Sequence, residues 1–410
     1  MHPQRTALHN ELHARPSLYF DAPAQVYHLA FVDSQAVGEA VIGGLCEQAD
    51  QPFDSSSAQG LLELGGHPLK WERHTEFFTL TLVVPGLAEG GLCPPLPAAL
   101  ARIAEHHQAL IINAMQIRVD AQQTWAGHTS HYGFKDPAGS TIGGGEATVW
   151  SDFQLTDQGL NRLLLVNRSL NAYRLGRMIR RLLEIETYRM MASLTLPVAQ
   201  SINLQLRQFD QELARLSDRN AEPAPANAKA LLEDIASLSA HLVRSTVRNQ
   251  QRLSAAEAYA QLVFGRIGEL REGHVGDCQR LGVFIERRFR PTLRYCVATD
   301  QRLVRLSHSV ANLGELLQVR VQVEVEEQNS EILRSLNSRA HTQIKIQKAV
   351  EGLSIIAISY YLLSLFKLIY QGLHTLGLGI APKTAMAVLA PLALLILLTI
   401  ALRIRKAKQH

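Results

Sequence analysis

The chain has 410 residues, 47% hydrophobic and 19% charged, with a formal net charge of +4. That length allows two or three full-sized domains. The small charge, with no Lys/Arg tract interleaved with aromatics, argues against nucleic-acid binding. Cys46, Cys93, Cys278 and Cys296 are scattered without a CxxC pair, which excludes a zinc cage or disulfide framework and fits a reducing compartment.

The first residues, MHPQRTALHNELHARP, contain no apolar stretch and no cleavage pattern. A signal peptide is therefore not expected, and the first domain is expected in the cytosol. His9, Glu11 and His13 alternate, so an extended strand would put them on one face, where a further ligand could complete a metal site. The plainer alternative is a polar segment that docks by hydrogen bonds. Arg15, followed by Pro16, suits an ordered turn or a carboxylate contact.

Residues 1–168 read as a cytosolic mixed α/β domain. AQVYHLAFV, FFTLTLVV and IINAMQIRVDA have the β-branched and aromatic content of strands. SQAVGEAVIGGLCEQAD and LPAALARIAEHHQAL have helical spacing. ATVWSDFQLTDQGLNRLLLVN reads as two strands joined at Asp157–Gly159. TIGGGEATVW lacks the Gly-Lys-Ser/Thr of a P-loop and leads into a strand, so it reads as a flexible loop.

Residues 169–349 read as a stalk of long antiparallel helices. LNAYRLGRMIRRLLEIETYRMMASL interleaves arginine with apolar residues, and Arg180 and Glu184 are spaced for an ion pair. NAEPAPANA, residues 220–228, reads as a loop between helices, REGHVGD as a second break, and Pro291 as a kink or helix start. Leu306, Val310, Leu313 and Leu317, then Leu333, Leu336 and Ala340, have coiled-coil spacing. VRVQVEVEEQ between them alternates like a strand. Helix is the expectation there, because a lone strand would have no evident sheet partner. The arginines Arg287, Arg288, Arg290 and Arg294 stand far in sequence from the apolar C-terminus, which favours protein contacts over lipid headgroups.

Two segments, 350–371 and 382–402, are each about 20 residues, long enough for a helix to span about 30 Å of hydrocarbon. With the short glycine-rich loop 372–381 between them, they are expected to form a transmembrane hairpin. Arg403, Arg405, Lys406 and Lys408 make a basic tail at 403–410, and Lys345 and Lys348 precede the first segment. The positive-inside rule then puts both termini in the cytosol. Tyr360, Ser364, Lys367 and Gln371 recur at helical spacing and form one polar stripe on the outer half of the first segment, either a pore lining or a helix–helix interface.

Other constellations are weaker. Glu105, His106 and His107 are adjacent on a helix and point apart, His128 and His131 sit in a loop, and Glu184 and Glu186 cannot share a helix face. No GxSxG, HExxH or paired-cysteine motif is present, so no catalytic residue is named and an enzyme is not expected.

NELHARP, RRLLEIETYRMMASLTLPVA and KAVEGLSIIAISYY resemble, along nearly the whole chain, a bacterial family of uncharacterised membrane-anchored proteins (domain of unknown function 3422). That resemblance implies membrane anchoring and assigns no activity. The arrangement is also architecturally similar to the CorA-type magnesium transporters, which join a cytosolic α/β domain to long helices and a C-terminal two-helix hairpin with a basic tail. This second resemblance implies a homopentameric pore lined by the first membrane helix, with a divalent cation as cargo. The chain departs from that pattern at the pore motif, where Tyr370-Gln371-Gly372-Leu373 replaces Gly-Met-Asn, and its outer loop has no acidic residue.

The expected fold class is therefore α+β: a cytosolic α/β domain, a helical or coiled-coil stalk, and a membrane hairpin. Two functions stand side by side. One is a CorA-like homo-oligomeric ion channel or transporter of the bacterial inner membrane. The other is a membrane-anchored scaffold or sensor acting through its cytosolic domain, without transport. Lys367 favours the second, because a ring of lysines would repel divalent cations.

Overall fold

The computed structural model describes residues 2–5, 9, 18–33, 36–87, 94–221, 228–375 and 382–407. The chain divides into two compact units, Met1–Glu315 and Leu316–His410. The fold is mixed α+β, with one large sheet and long helices.

In the first unit, β1 (Ala24–Val32), β2 (Gln59–Leu64), β3 (His67–Arg73), β4 (Phe77–Pro85), β5 (Ile111–Ala121), β6 (Ala138–Ile142), β7 (Ala147–Ser151) and β8 (Asn161–Asn167) form a single sheet. Its order is β2-β3-β4-β1-β5-β8-β7-β6. Neighbours are antiparallel except β5 and β8, which are parallel. β1 lies in the middle and is buried along almost all its length. A strand covered on both faces needs apolar residues at successive positions, and this is why AQVYHLAFV does not alternate.

One face of the sheet carries α1 (Ala36–Gln48) and α2 (Ala98–His106), which pack Ile42, Leu45 and Leu100 onto Leu29, Phe31, Leu69, Trp71, Leu80 and Leu82. The opposite face is covered by α3 (Ala172–Ser193). Its Leu175, Ile179, Leu182 and Leu183 join Val26, Val83, Met115, Ile117 and Val149 in the main core. Asn171 caps α3, its side chain accepting the Arg174 N–H at 3.0 Å.

The glycine run expected to be a flexible loop is instead the tight turn of the β6–β7 hairpin. Gly143, Gly144 and Gly145 all have positive φ, which glycine adopts without steric cost. β2 and β3 form a second hairpin through Gly65 and Gly66, both also at positive φ.

Beyond α3 come α4 (Thr195–Ala221), α5 (Ala228–Glu269) and α6 (Leu281–Thr375). Arg219 pairs with Asp234 at 2.6 Å, and the Thr195 hydroxyl donates to the Arg252 carbonyl at 3.1 Å, so α4 and α5 run antiparallel. Within the first unit α6 buries Leu303, Leu306, Val310 and Leu313, the heptad spacing seen in the sequence. Asn203 of α4 accepts from Arg302 at 2.7 Å, and Asp210 pairs with the same arginine. Of the arginine group, Arg290 pairs with Glu286 and lies over Phe264 of α5, and Arg288 lies over Phe284. Pro291 lies inside α6 rather than at its start.

The second unit contains the rest of α6 and α7 (Pro382–Ala407). VRVQVEVEEQ is helical throughout. One described helix, α6, contains an 18-residue window apolar enough to cross a membrane, and none of that window is buried. α7 has a shorter apolar stretch, Met386–Ile396. Most of the loop expected at 220–228 and of that at 372–381 lies outside the described residues.

Candidate functional site

Between α3 and the β3–β4–β1 part of the sheet lies a cavity of about 50 Å³. Three adjacent strands build its floor. The register places Lys70 opposite Thr81 and Thr81 opposite His28, with Glu72 opposite Thr79 in the next row. All five side chains line the cavity, because alternate residues of a strand share a face. From α3 come Gly176, Ile179, Arg180, Leu183, Glu184 and Thr187, spaced by three and four residues as one helical face requires.

Polar groups where the sheet meets α3 are anchored. His28 is buried, with Nδ1 2.8 Å from the Thr81 hydroxyl and Nε2 3.0 Å from the Thr187 hydroxyl. Asn113 donates to the same Thr187 oxygen at 3.0 Å. Burial is the main reason the His28 pKa falls to about 4, so the imidazole is neutral at neutral pH and one ring nitrogen donates while the other accepts.

The sheet side carries an ion pair. Lys70 Nζ donates to Glu72 Oε1 at 2.8 Å, and the lysine side chain is 4% exposed. Burial alone would raise the Glu72 pKa, but the charge and hydrogen bond of Lys70 outweigh it and leave the carboxyl below its ordinary value. Across the cavity Arg180 pairs with Glu184 at 3.4 Å, the separation that their spacing allows. Glu184 also pairs with Arg266 of α5.

His74, Phe77 and Tyr188 line this cavity and also a larger, more open one, of about 520 Å³, walled by Ser55, Ser56, Ser57, Arg73 and Tyr259. These three residues are common to the two linings. His74 stacks on Phe77 at 4.1 Å and Tyr188 on Tyr259 at 5.8 Å. Tyr259 donates to Glu76 at 3.0 Å, and Arg252 pairs with Glu76 at 3.2 Å. Chemically, the pair of cavities can admit and hold a small molecule with one polar and one apolar side.

The chain matches, along residues 1–409, the model of a family described as a protein of unknown function (DUF3422). It belongs to that family. No curated protein and no solved structure matches it.

Of the candidate site residues that the sequence brought forward in this DUF3422 chain, none of those described is among the residues lining the cavity, whereas Arg180 and Glu184, spaced for an ion pair, do line it. His9 is exposed, while Glu11, His13 and Arg15 lie outside the described residues. Tyr360, Ser364, Lys367 and Gln371 are all on α6. Tyr360 is 68% exposed, and the Ser364 hydroxyl donates back to the Tyr360 carbonyl at 2.9 Å. His128 precedes and His131 lies within a short 3-10 turn (Thr129–Tyr132), with ring centroids 6.0 Å apart. Among the described residues, no group of three or more His, Cys, Asp or Glu is placed to hold a metal ion.

Sequence reading missed His28, Lys70, Glu72, His74 and Thr79. The available signal was HPLKWERH, in which Lys70, Glu72 and His74 alternate with Leu69, Trp71 and Arg73. Period-two polarity marks a strand, but by itself it suggests that the polar side faces water.

Proposed function

We propose that this DUF3422 protein is a membrane-anchored sensor whose first unit binds a small ligand in the cavity beneath α3. The observation carrying this reading is the polar group of buried Lys70 and Thr79 with half-buried Glu72 and Arg180 around a cavity whose His74, Phe77 and Tyr188 also line a larger neighbouring one. A core built for packing alone has little use for such groups, since each is costly to desolvate. α3 forms the roof of the cavity, and the same core contains Leu281, Ile285 and Phe289 of α6. Ligand occupancy that moves α3 would therefore be felt by α6.

In this reading the anchor is the C-terminal hairpin of 350–371 and 382–402, set in a bacterial inner membrane with both termini cytosolic. The apolar, unburied window of α6 supports the first crossing. The basic residues from Arg403 to Lys408 support the orientation.

Two measurements on the full chain test the proposal. Alkaline carbonate washing of membranes should leave the protein in the pellet; release into the supernatant would overturn anchoring. In mild detergent, at least one member of a panel of small polar metabolites should raise the melting temperature of the wild type but not of Val26→Phe, which fills the cavity. A ligand at 100 times its Kd contributes about 2.7 kcal/mol of stability. No shift across the panel would overturn ligand sensing.

A second reading is a CorA-like homo-oligomer that conducts an ion. It is favoured by the stripe of Tyr360, Ser364, Lys367 and Gln371, together with the exposed Leu316, Val319, Val323, Leu333, Leu336 and Ile344, which would suit packing against further copies. A pentamer in mild detergent, with ion flux in liposomes that changes in Lys367→Ala, would support it. A monomer or dimer, or no flux from either protein, would sink it.

A further inference from the structure

We infer that the cavity beneath α3 takes a small monocarboxylate with an apolar tail, its carboxylate directed to Lys70 and Thr79 and its tail to Phe20, Val26, Val83, Ile179 and Leu183. This inference rests on the reading of the cavity as a ligand site and adds the chemistry of what enters it.

The first ground is a surplus of donors. An ammonium has three N–H groups, and Glu72 accepts one of those of Lys70. The Thr79 hydroxyl is on the cavity wall, in a residue 3% exposed, and has no hydrogen-bond partner among the described residues. Arg180 Nε likewise makes no hydrogen bond there, although its guanidinium is ion-paired. Of the acceptors, Glu72 takes Lys70 at Oε1, and Glu184 serves both Arg180 and Arg266. His28 adds no further donor, since both ring nitrogens lie within hydrogen-bond distance of threonine hydroxyls. Lys70 is diagonal to Thr79 across β3 and β4, within reach of one carboxylate at that spacing.

Charge gives the second ground. Two separate ion-paired groups reach the cavity: Lys70 with Glu72, which balances, and Arg180, Arg181 and Arg266 against Glu184 and Glu269, of which Arg180 and Glu184 line the cavity. The second group carries one positive charge in excess, which a monoanion neutralises. A dianion would overshoot, and an amine would add to the excess in a setting where uncompensated charge is expensive.

The third ground is shape. Leu18, Phe20, Val26, Val83, Ile179 and Leu183 give the cavity an apolar stretch of wall. A tail of a few carbons covers such a wall, whereas phosphate or sulfate would leave it against charge. The narrow volume, about 50 Å³, limits the tail to a short one.

The test uses the full chain in mild detergent with sodium butyrate as probe. Butyramide, butylamine hydrochloride and disodium succinate serve as comparators at matched ionic strength. Titration calorimetry and melting temperature should both show saturable butyrate binding stronger than that of every comparator. Thr79→Val, nearly isosteric, should weaken butyrate about tenfold, the loss expected for one hydrogen bond to a charged acceptor. The double variant Lys70→Met/Glu72→Leu, which leaves no lone buried charge, should abolish it, as should Val26→Phe.

Butyramide or butylamine binding better than butyrate, with Val26→Phe still blocking it, would overturn the carboxylate and leave the cavity a ligand site. Equal butyrate binding by wild type, Thr79→Val and the double variant would overturn the assigned contacts. No binding of any of the four, nor of any panel member, would bring down the sensor reading as well.

Discussion

Lys70 and Glu72 meet at 2.8 Å on the same face of β3, with the lysine side chain 4% exposed and the glutamate 24%. An ion pair this deep gains little over an apolar pair of similar size, but removing one partner strands the other. Glu72→Gln should therefore destabilise the protein by about 3 kcal/mol, and Lys70→Met/Glu72→Leu by much less. Urea unfolding followed by tryptophan fluorescence reports on the site, because the buried Trp71 lies between the two residues in β3. A Glu72→Gln variant as stable as wild type would mean that Lys70 reaches water.

His28 makes stability depend on pH in a definite direction. Its pKa is about 4 in the folded protein against 6.5 ordinarily, chiefly through burial. The unfolded chain therefore takes up a proton at a higher pH than the folded one, and stability falls as pH drops from 6.5 toward 4. Between pH 7 and pH 5, above the range where carboxylates titrate, the loss should be about 2 kcal/mol. Replacing His28 with Gln, which cannot titrate, should flatten that part of the curve. An unchanged slope in His28→Gln would show that the imidazole reaches solvent or becomes charged in place.

The main body of the fold was legible because burial is written into its sequence. β1 and β4 are covered on both faces, so AQVYHLAFV and FFTLTLVV are almost continuously apolar. The later helices carry apolar residues at intervals of three and four, as Leu303, Leu306, Val310 and Leu313 do. The cavity was not legible, for a related reason. β3 alternates Leu69 and Trp71 with Lys70 and Glu72, the pattern of a strand with one wet face. That face is instead roofed by α3, whose Ile179 and Leu183 are over a hundred residues further along the chain. Nothing local to HPLKWER encodes the roof; it follows from the β3-β4-β1 strand order and from the way α3 lies across those strands.

The closure at one end of the cavity depends on Gly176. A methyl group at that position of α3 would collide with the backbone carbonyl oxygen of Leu18, and Leu18 and Phe20 are part of the cavity wall. The same helix holds the segment at a second point, since Tyr19 packs on Tyr173 with ring centroids 4.5 Å apart. In a helix interior, replacing Gly with Ala should by itself stabilise by up to about 1 kcal/mol. Here the collision is with backbone, which cannot rotate away, and overpacking of this kind costs about 1–3 kcal/mol. Gly176→Ala should accordingly lower the melting temperature and speed amide hydrogen exchange in the first residues of β1, where the displaced segment joins the sheet. A variant more stable than wild type, with unchanged exchange there, would show that Leu18–Phe20 yields freely and that Gly176 does not set the closure.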